Sequence, residues 1–145
     1  MLISGWGGYP KVEADVLIPR SLSESARWLK HSPLIARGMG RSYGDSALNA
    51  NVLQTTMLDH FLAFDQQVGL ITVEAGVSLR ALLELVVPKG WFLPVTPGTS
   101  YVTVGGAIAS DVHGKNHHGA GTFGQHVASM TLLLGTGEVV NTSAK

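Results

Sequence analysis

The chain has 145 residues, 45% of them hydrophobic, which suits one ordinary domain or two very small subdomains with a real core. Ten Lys and Arg balance ten Asp and Glu, so no global field draws in nucleic acid or an anionic membrane, and charge-based recognition has to be local. There is no cysteine, which excludes a disulfide framework, a thiolate metal site, a thiol nucleophile and a flavin attached through sulfur.

The N-terminal stretch MLISGWGGYPK has neither the basic start nor the apolar core of a signal peptide. No stretch approaches the ~18 apolar residues of a membrane span, so a cytoplasmic protein without a transmembrane segment is expected. Val16 to Ile18 reads as a short strand, followed by a helix whose Ser21-x-x-Glu24 is a capping box and whose Ala26, Trp28 and Leu29 are available to a core. Leu34 to Ala36 predicts a second short buried strand that runs straight into the loop GMGRSYGD, Gly38 to Asp45. Downstream, an extended segment is expected near Val52 to Thr55, then a loop carrying Asp65 and a strand at Leu70 to Glu74. A helix from Leu79 to Val87 follows, with Leu79, Leu82, Leu83 and Val86 on one face and a stop at Pro88 and Gly90. Another helix is expected to begin at Val104 or Gly105, and two apolar runs around Gly135-Thr136-Gly137 predict a closing hairpin. The pattern is that of an α+β chain with a seam near Val95 to Ser100.

Glycine is the anomaly, with 18 residues concentrated at Gly38 to Gly44, Gly98 to Gly106 and Gly114 to Gly124. The first cluster is no dinucleotide fingerprint, because its third glycine comes one place late at Gly44. Nor is Gly114-Lys115 a P-loop, since Ala109 stands where the first glycine is needed and Asn116 where Ser or Thr is needed. The loop still keeps the physics of both motifs, with backbone N–H groups clear of side chains and Arg37 and Arg41 at hand; a plain turn with two solvated arginines is the competing reading. In the second cluster, Thr103, Val104, Gly105 and Gly106 enter a small-residue helix, which fits either N–H groups offered to a negatively charged ligand or a helix packed tightly through its glycines. In the third, His113 and His117 have the spacing of helical metal ligands but lack the intervening glutamate of a zinc protease, and the surrounding glycines argue for loop, so no metal is expected. What remains is a polar loop of His113, Lys115, Asn116, His117 and His118, suited to holding a polar substrate or to an ordinary hydrogen-bonded surface.

In this order, GMGRSYGD, PGTSYVTVGGAIASDVHGKNHH and GTFGQHVASMTLLLGTGEV resemble the FAD-binding domain of the p-cresol methylhydroxylase and vanillyl-alcohol oxidase superfamily. They look most like its decaprenylphosphoryl-β-D-ribose 2′-oxidase branch and the related sugar-lactone and alditol oxidases, over about Gly5 to the end. The resemblance implies two small α/β subdomains, 1–97 and an incomplete 98–145, with the substrate domain of longer relatives absent. It implies that Ala36, Arg37, Gly38, Met39, Gly40, Arg41, Ser42, Tyr43 and Gly44 wrap the FAD pyrophosphate. Gly98, Thr103, Val104, Gly105, Gly106, Ser110 and His113 would line the rest of the cofactor. Relatives that bond flavin covalently use a histidine where Arg41 stands, so non-covalent FAD is expected.

His113 and Lys115 match groups beside the flavin and are carried over as catalytic, substrate-side residues. The implied reaction is oxidation of a CH–OH group of a sugar, polyol or lipid-linked sugar by hydride transfer to FAD. A flavin- or nucleotide-binding module without catalysis of its own is the alternative. If the backbone of the first loop meets pyrophosphate, Gly40→Val should abolish FAD binding without unfolding the domain.

Overall fold

The computed structural model describes residues 1–29 and 33–143. They divide into two compact units, the first formed by Met1–Leu58 with Ala128–Lys145 and the second by Asp59–Val127.

In the first unit, β1 (Leu2–Ser4) pairs antiparallel with β2 (Lys11–Glu13). Strand β3 (Asp15–Leu17) leads through α1 (Leu22–Leu29) toward β4 (Ile35–Arg37) and β5 (Asn51–Gln54). These three strands form a parallel sheet in the order β3-β5-β4, with Val16 beside Val52 and Ile35 also beside Val52. Val52 is the fully buried centre of a small core with Ile3, Ala14 and Leu48, against which Val12, Val16 and Ile35 pack. Parallel strands need crossovers, and the connection between β4 and β5 contains the glycine loop, so the loop leaves from a strand's C-terminal end as expected.

Helix α1 starts where its sequence says, because Ser21 Oγ accepts the Glu24 N–H at 3.2 Å. Glu24 reaches back to the N–H of Arg20 at 2.8 Å, one residue earlier than in the usual reciprocal box. The buried residue of α1 is Ser25, whose hydroxyl donates to Ser21 O at 3.0 Å, while the expected core residues Ala26, Trp28 and Leu29 are half-buried. Strand β4 is likewise less buried than its apolar run suggests, with Ala36 exposed. The expected terminal hairpin is present as β8 (Ser129–Leu133) against β9 (Val139–Ser143), in register from Ser129 opposite Ser143 to Leu133 opposite Val139.

In the second unit, β6 (Phe61–Asp65) pairs antiparallel with β7 (Leu70–Val73). The segment expected as a loop carrying Asp65 is therefore a strand, and Asp65 ends it, its carboxylate accepting the N–H groups of Gln67 and Val68 in the turn. Helix α2 (Leu79–Val86) is capped by Ser78 Oγ accepting from Ala81 N at 3.1 Å, and its apolar stripe buries Leu79, Leu82 and Val86. Pro88 and Gly90 stop it, with a single 3₁₀ turn at Val87–Lys89 and Gly90 at φ 82°. Val77, Leu82 and Val86 form the core, with Phe64, Ile71, Trp91 and Val104 packed on it. Residues 97 and 98, expected to lie at a boundary, fall inside this unit, where Leu79 N–H donates to Val102 O and Arg80 N–H to Ser100 O. Helix α3 (Val104–Ala109) begins at the predicted residue, and a short α4 (His117–Ala120) occupies part of the stretch read as loop.

At the start of β6, His60 closes a local clasp, its Nδ1 2.7 Å from Glu74 Oε2 and its backbone N–H donating to the same oxygen at 3.0 Å. The hydrogen bond and charge of Glu74 raise the His60 pKa. For Glu74, burial pushes the carboxyl upward, but the His60 backbone and ring donors outweigh it and the net shift is downward. A raised histidine contributes stability that is lost as pH rises through its folded pKa, and a lowered carboxyl contributes stability that is lost as pH falls through its own. The clasp is therefore strongest at mildly acidic pH, between the two transitions. By NMR titration, His60 should show a midpoint above 6.5, and Glu74→Gln should return it toward that value.

Candidate functional site

The glycine loop is shaped by three contacts that its own sequence does not announce. Gly40 and Gly44 take φ of 67° and 59°, the left-handed region open to glycine at little cost. Arg37 lies beneath the loop, its Nη2 donating to Ser4 O at 2.8 Å and its Nη1 to Ala47 O at 3.3 Å. Desolvation lowers the Arg37 pKa, yet the guanidinium remains charged at any physiological pH. A side chain on Gly40 would place its Cβ 2.3 Å from Arg37 Nη2, so the glycine rests on the arginine. The segment Gly5-Trp6 forms the other wall, with Trp6 N–H donating to Ser42 O at 2.8 Å. A Cβ on Gly5 would lie 2.6 Å from Ser42 O and 2.7 Å from Gly44 O. Finally, the Arg41 guanidinium lies 4.6 Å from the centroid of the Trp6 ring.

With carbonyls turned toward Gly5 and Trp6, the loop keeps its donors in hand. Among the described residues, the N–H groups of Met39, Gly40, Ser42, Tyr43 and Gly44 meet no acceptor. N–H donors without acceptors beside a partly buried guanidinium are the kind of arrangement that suits an anion. Arg37 itself is a scaffold of the loop, since its two terminal nitrogens already serve carbonyls.

The second cluster differs from expectation. The N–H groups at the start of α3 are all taken: Val104 donates to Val77 O and Gly105 to Ala75 O, each at 2.8 Å, and Gly106 to Thr103 Oγ1 at 3.1 Å. Thr103 is buried and serves as N-cap, so this helix start offers no free donor to a negative charge. Gly105 is small because a Cβ there would meet Ala75 Cβ at 3.0 Å, which is the tight-packing reading of this pair. Gly98, by contrast, has nothing within 4 Å of where a Cβ would stand.

The third cluster lines an open cleft of about 650 Å³ within the second unit, walled by Thr96, Pro97 and Gly98 on one side and His113 to His117 on the other. The walls meet at buried Gly114, where a Cβ would approach Thr96 O to 2.7 Å, and Asn116 Nδ2 donates to Pro94 O at 3.0 Å. His113 and Lys115 are exposed to this cleft. The His113 and His117 rings meet edge to face with centroids 5.1 Å apart, and His117 Nδ1 lies 3.1 Å from Gly114 O. Because a carbonyl only accepts, Nδ1 of His117 carries the proton. No group of three His, Asp or Glu side chains among the described residues is arranged to hold a metal ion.

Asp111 stands out before this cleft as the non-glycine residue with positive φ, 41°, among the described residues. Its carboxylate accepts Gly124 N–H at 2.8 Å, and His113 bridges to Thr122, so the strained turn ties the His113 segment to residues 122–126. Ser110 caps the C-terminal end of α3 one residue earlier, and its side chain is exposed.

Comparison with known proteins decides what these features belong to. A family model for the FAD binding domain matches residues 16–143. The chain belongs to that family. It is 44% identical over 150 aligned residues to decaprenylphosphoryl-beta-D-ribose oxidase of Mycolicibacterium smegmatis, covering 94% of this chain and 32% of that protein. It is 25% identical to L-gulonolactone oxidase 5 of Arabidopsis thaliana, over 94% of this chain and 23% of that protein. In fold it is similar to 6-hydroxy-D-nicotine oxidase of Arthrobacter nicotinovorans, with a TM-score of 0.80 at 18% identity over 88% of this chain and 29% of that one. The chain thus spans about a third or less of the length of these relatives.

FAD is the cofactor of this family, and the residues present fit it. A pyrophosphate needs several N–H donors and positive charge at close range, and the N–H groups of Met39, Gly40, Ser42, Tyr43 and Gly44, with Arg37 beneath them, are groups of that kind. Among the described residues, no helix is long and apolar enough to cross a membrane.

Proposed function

We propose that this chain is the FAD-binding portion of an oxidoreductase that oxidises a CH–OH group of a sugar, a polyol or a lipid-linked sugar by hydride transfer to the flavin. The observation that carries the reading is the glycine loop after β4, in which the N–H groups of Met39, Gly40, Ser42, Tyr43 and Gly44 meet no acceptor among the described residues while the Ser42 carbonyl and the Arg37 guanidinium are held by the protein. Support for the substrate class comes from the 44% identity to a protein named for oxidising a phosphoryl-linked ribose and from similarity to one named for a sugar lactone.

In this reading, Ala36 through Gly44 hold the pyrophosphate. Gly98, the start of α3, Ser110 and His113 line the remainder of the cofactor through small side chains and backbone, not through free helix N–H groups. Bound FAD supplies a two-electron acceptor, a chemistry no protein side chain here provides. The residues of the cleft do the rest. His113 and Lys115 bind and orient the substrate hydroxyl, and the imidazole of His113 is of the right type to take its proton. Asp111 keeps the His113 segment in place through Gly124, and His117 stays turned toward Gly114 by its Nδ1 bond.

The flavin is held without a covalent bond, because Arg41 has no nucleophilic nitrogen available at neutral pH. The test is an absorption spectrum of the full polypeptide carrying this chain, before and after acid precipitation. Flavin bands near roughly 370 and 450 nm that pass into the supernatant are the expected result. Colour that stays with the pellet would overturn the non-covalent assignment, and absence of flavin even after FAD is added would overturn the whole reading.

A further inference from the structure

We infer that Asn116 is a positioning residue for Lys115, its side chain tying the turn that carries the lysine to the opposite wall of the cleft. The inference rests on the reading of Lys115 as a substrate-side group and goes beyond it by naming the residue that fixes where that lysine stands.

Residues 114–117 form a tight turn, closed by the His117 N–H donating to Gly114 O at 3.2 Å. The same carbonyl accepts Nδ1 of the His117 ring at 3.1 Å. Lys115 and Asn116 are the two central residues, and Asn116 has φ −92° and ψ 15°, as the second central residue of a type I turn does. An asparagine at the head of a helix ordinarily turns its side-chain oxygen onto the first N–H groups of that helix. Asn116 heads α4 without doing so. Its backbone carbonyl accepts from Gly119 and Ala120 at 3.0 and 2.9 Å, while its side chain crosses to the other wall, Nδ2 donating to Pro94 O at 3.0 Å.

Gly114 is the second anchor. It is buried against the same wall, where a Cβ would lie 2.7 Å from Thr96 O and 2.8 Å from Asn116 Oδ1, so the carboxamide rests over a bare Cα. The wall is itself fixed, because Val95, between Pro94 and Thr96, is fully buried. Lys115 therefore stands between two residues that are each held against main-chain atoms of 94–96. A lysine is a point charge on a flexible four-carbon stem, so where its ammonium can reach is set by where its Cα is held. Releasing Asn116 leaves the turn held at Gly114 alone, and the ammonium then searches a wider region before it meets a substrate, a cost that falls on binding.

The experiment uses the full polypeptide carrying this chain, loaded with FAD. Amide relaxation by NMR should give Lys115 the order parameter of a rigid backbone, about 0.85, falling toward ~0.6 in Asn116→Leu. With L-gulonolactone as the sugar probe, anaerobic flavin bleaching in Asn116→Leu should need about three- to tenfold more sugar for half-saturation, the size of one hydrogen bond expressed as affinity. The limiting bleaching rate should change by less than about twofold, as expected when binding and not the chemical step is disturbed. Asn116→Asp, which keeps the size but has no donor, should behave like leucine, and Asn116→Gln, which keeps the donor, should recover part of the loss. In a Lys115→Met background, Asn116→Leu should add nothing. An unchanged Lys115 amide, an unaffected Asn116→Asp protein, or an equal loss from Asn116→Leu in both backgrounds would overturn the role of Asn116 and leave Lys115 as a substrate-side group. Unchanged half-saturation in Lys115→Met alone, or no bleaching of the unaltered protein, would count against the reading of Lys115, and the amide measurement by itself then decides whether Asn116 holds the turn.

Discussion

Gly40→Val should release FAD and destabilise the first unit together. Two effects act at this position. A β-branched residue at φ 67° carries backbone strain of about 1–3 kcal/mol. Its Cβ would also occupy the place of Arg37 Nη2, and moving that guanidinium gives up its bonds to Ser4 O and Ala47 O, each worth about 1.5–3 kcal/mol as a charged donor. The sequence alone suggests loss of cofactor in an otherwise folded domain; the structure adds the stability cost through Arg37.

For FAD, losing two N–H bonds to phosphate at about 1.5–3 kcal/mol each corresponds to a hundredfold or greater fall in affinity. The measurements are a denaturation midpoint and a flavin titration on the same sample at low temperature, where the variant is folded. Gly8→Val provides the control. Gly8 has φ 74° with nothing within 4 Å of a Cβ, so it takes the backbone strain without touching the loop. It should lose stability and keep FAD. A folded Gly40→Val protein with undiminished affinity would remove the loop from the cofactor site.

His113→Ala should lower turnover by about 10²–10⁴-fold, the range of a general acid–base contribution, with flavin content unchanged. His113 is exposed to the cleft and its backbone is fixed by the bridge to Thr122, so shortening the side chain leaves the segment's course intact. The rate of flavin bleaching by a sugar or polyol substrate under anaerobic conditions reports the step directly. Lys115→Met in the same assay should raise the substrate concentration needed for half-saturation more than it slows the step, as a binding group would. Loss of flavin from His113→Ala would show that His113 holds the cofactor and does not merely line it, and full turnover would take it out of the chemistry.

Features of the fold that depend on neighbouring residues were readable from the sequence. Ser21 and Glu24 mark the start of α1, and the spacing of Leu79, Leu82 and Val86 marks the buried face of α2, because a helix brings such residues together within one or two turns. The hairpin around Gly135 to Gly137 is legible for the same reason. The strand Phe61–Asp65 is not, since it is largely exposed and its register shifts between Phe61 and Ala63, which breaks the alternation that would reveal it. Glycines 119 and 121 hide the short helix His117–Ala120.

The candidate site divides along the same line. Glycine clustering identifies loops with bare backbone, yet it does not say which N–H groups are already spent. The donors of α3 go to Ala75 and Val77, and the carbonyl of Ser42 goes to Trp6, partners far away in the chain. Gly5 and Trp6 therefore escaped notice as part of the loop. The residual signal is the run Gly5-Trp6-Gly7-Gly8, an aromatic set among glycines with no apolar pattern around it.

The first unit is discontinuous: the chain leaves it after Leu58, builds Asp59–Val127, and returns with the hairpin β8–β9. On a ribosome this sets an order of events. The second unit, made from one unbroken stretch, has its internal contacts available as soon as it emerges, whereas the first is joined by Ala128–Lys145 only after the second has been made. The unit that carries the glycine loop thus receives the hairpin β8–β9 only after the histidine-lined cleft has been made.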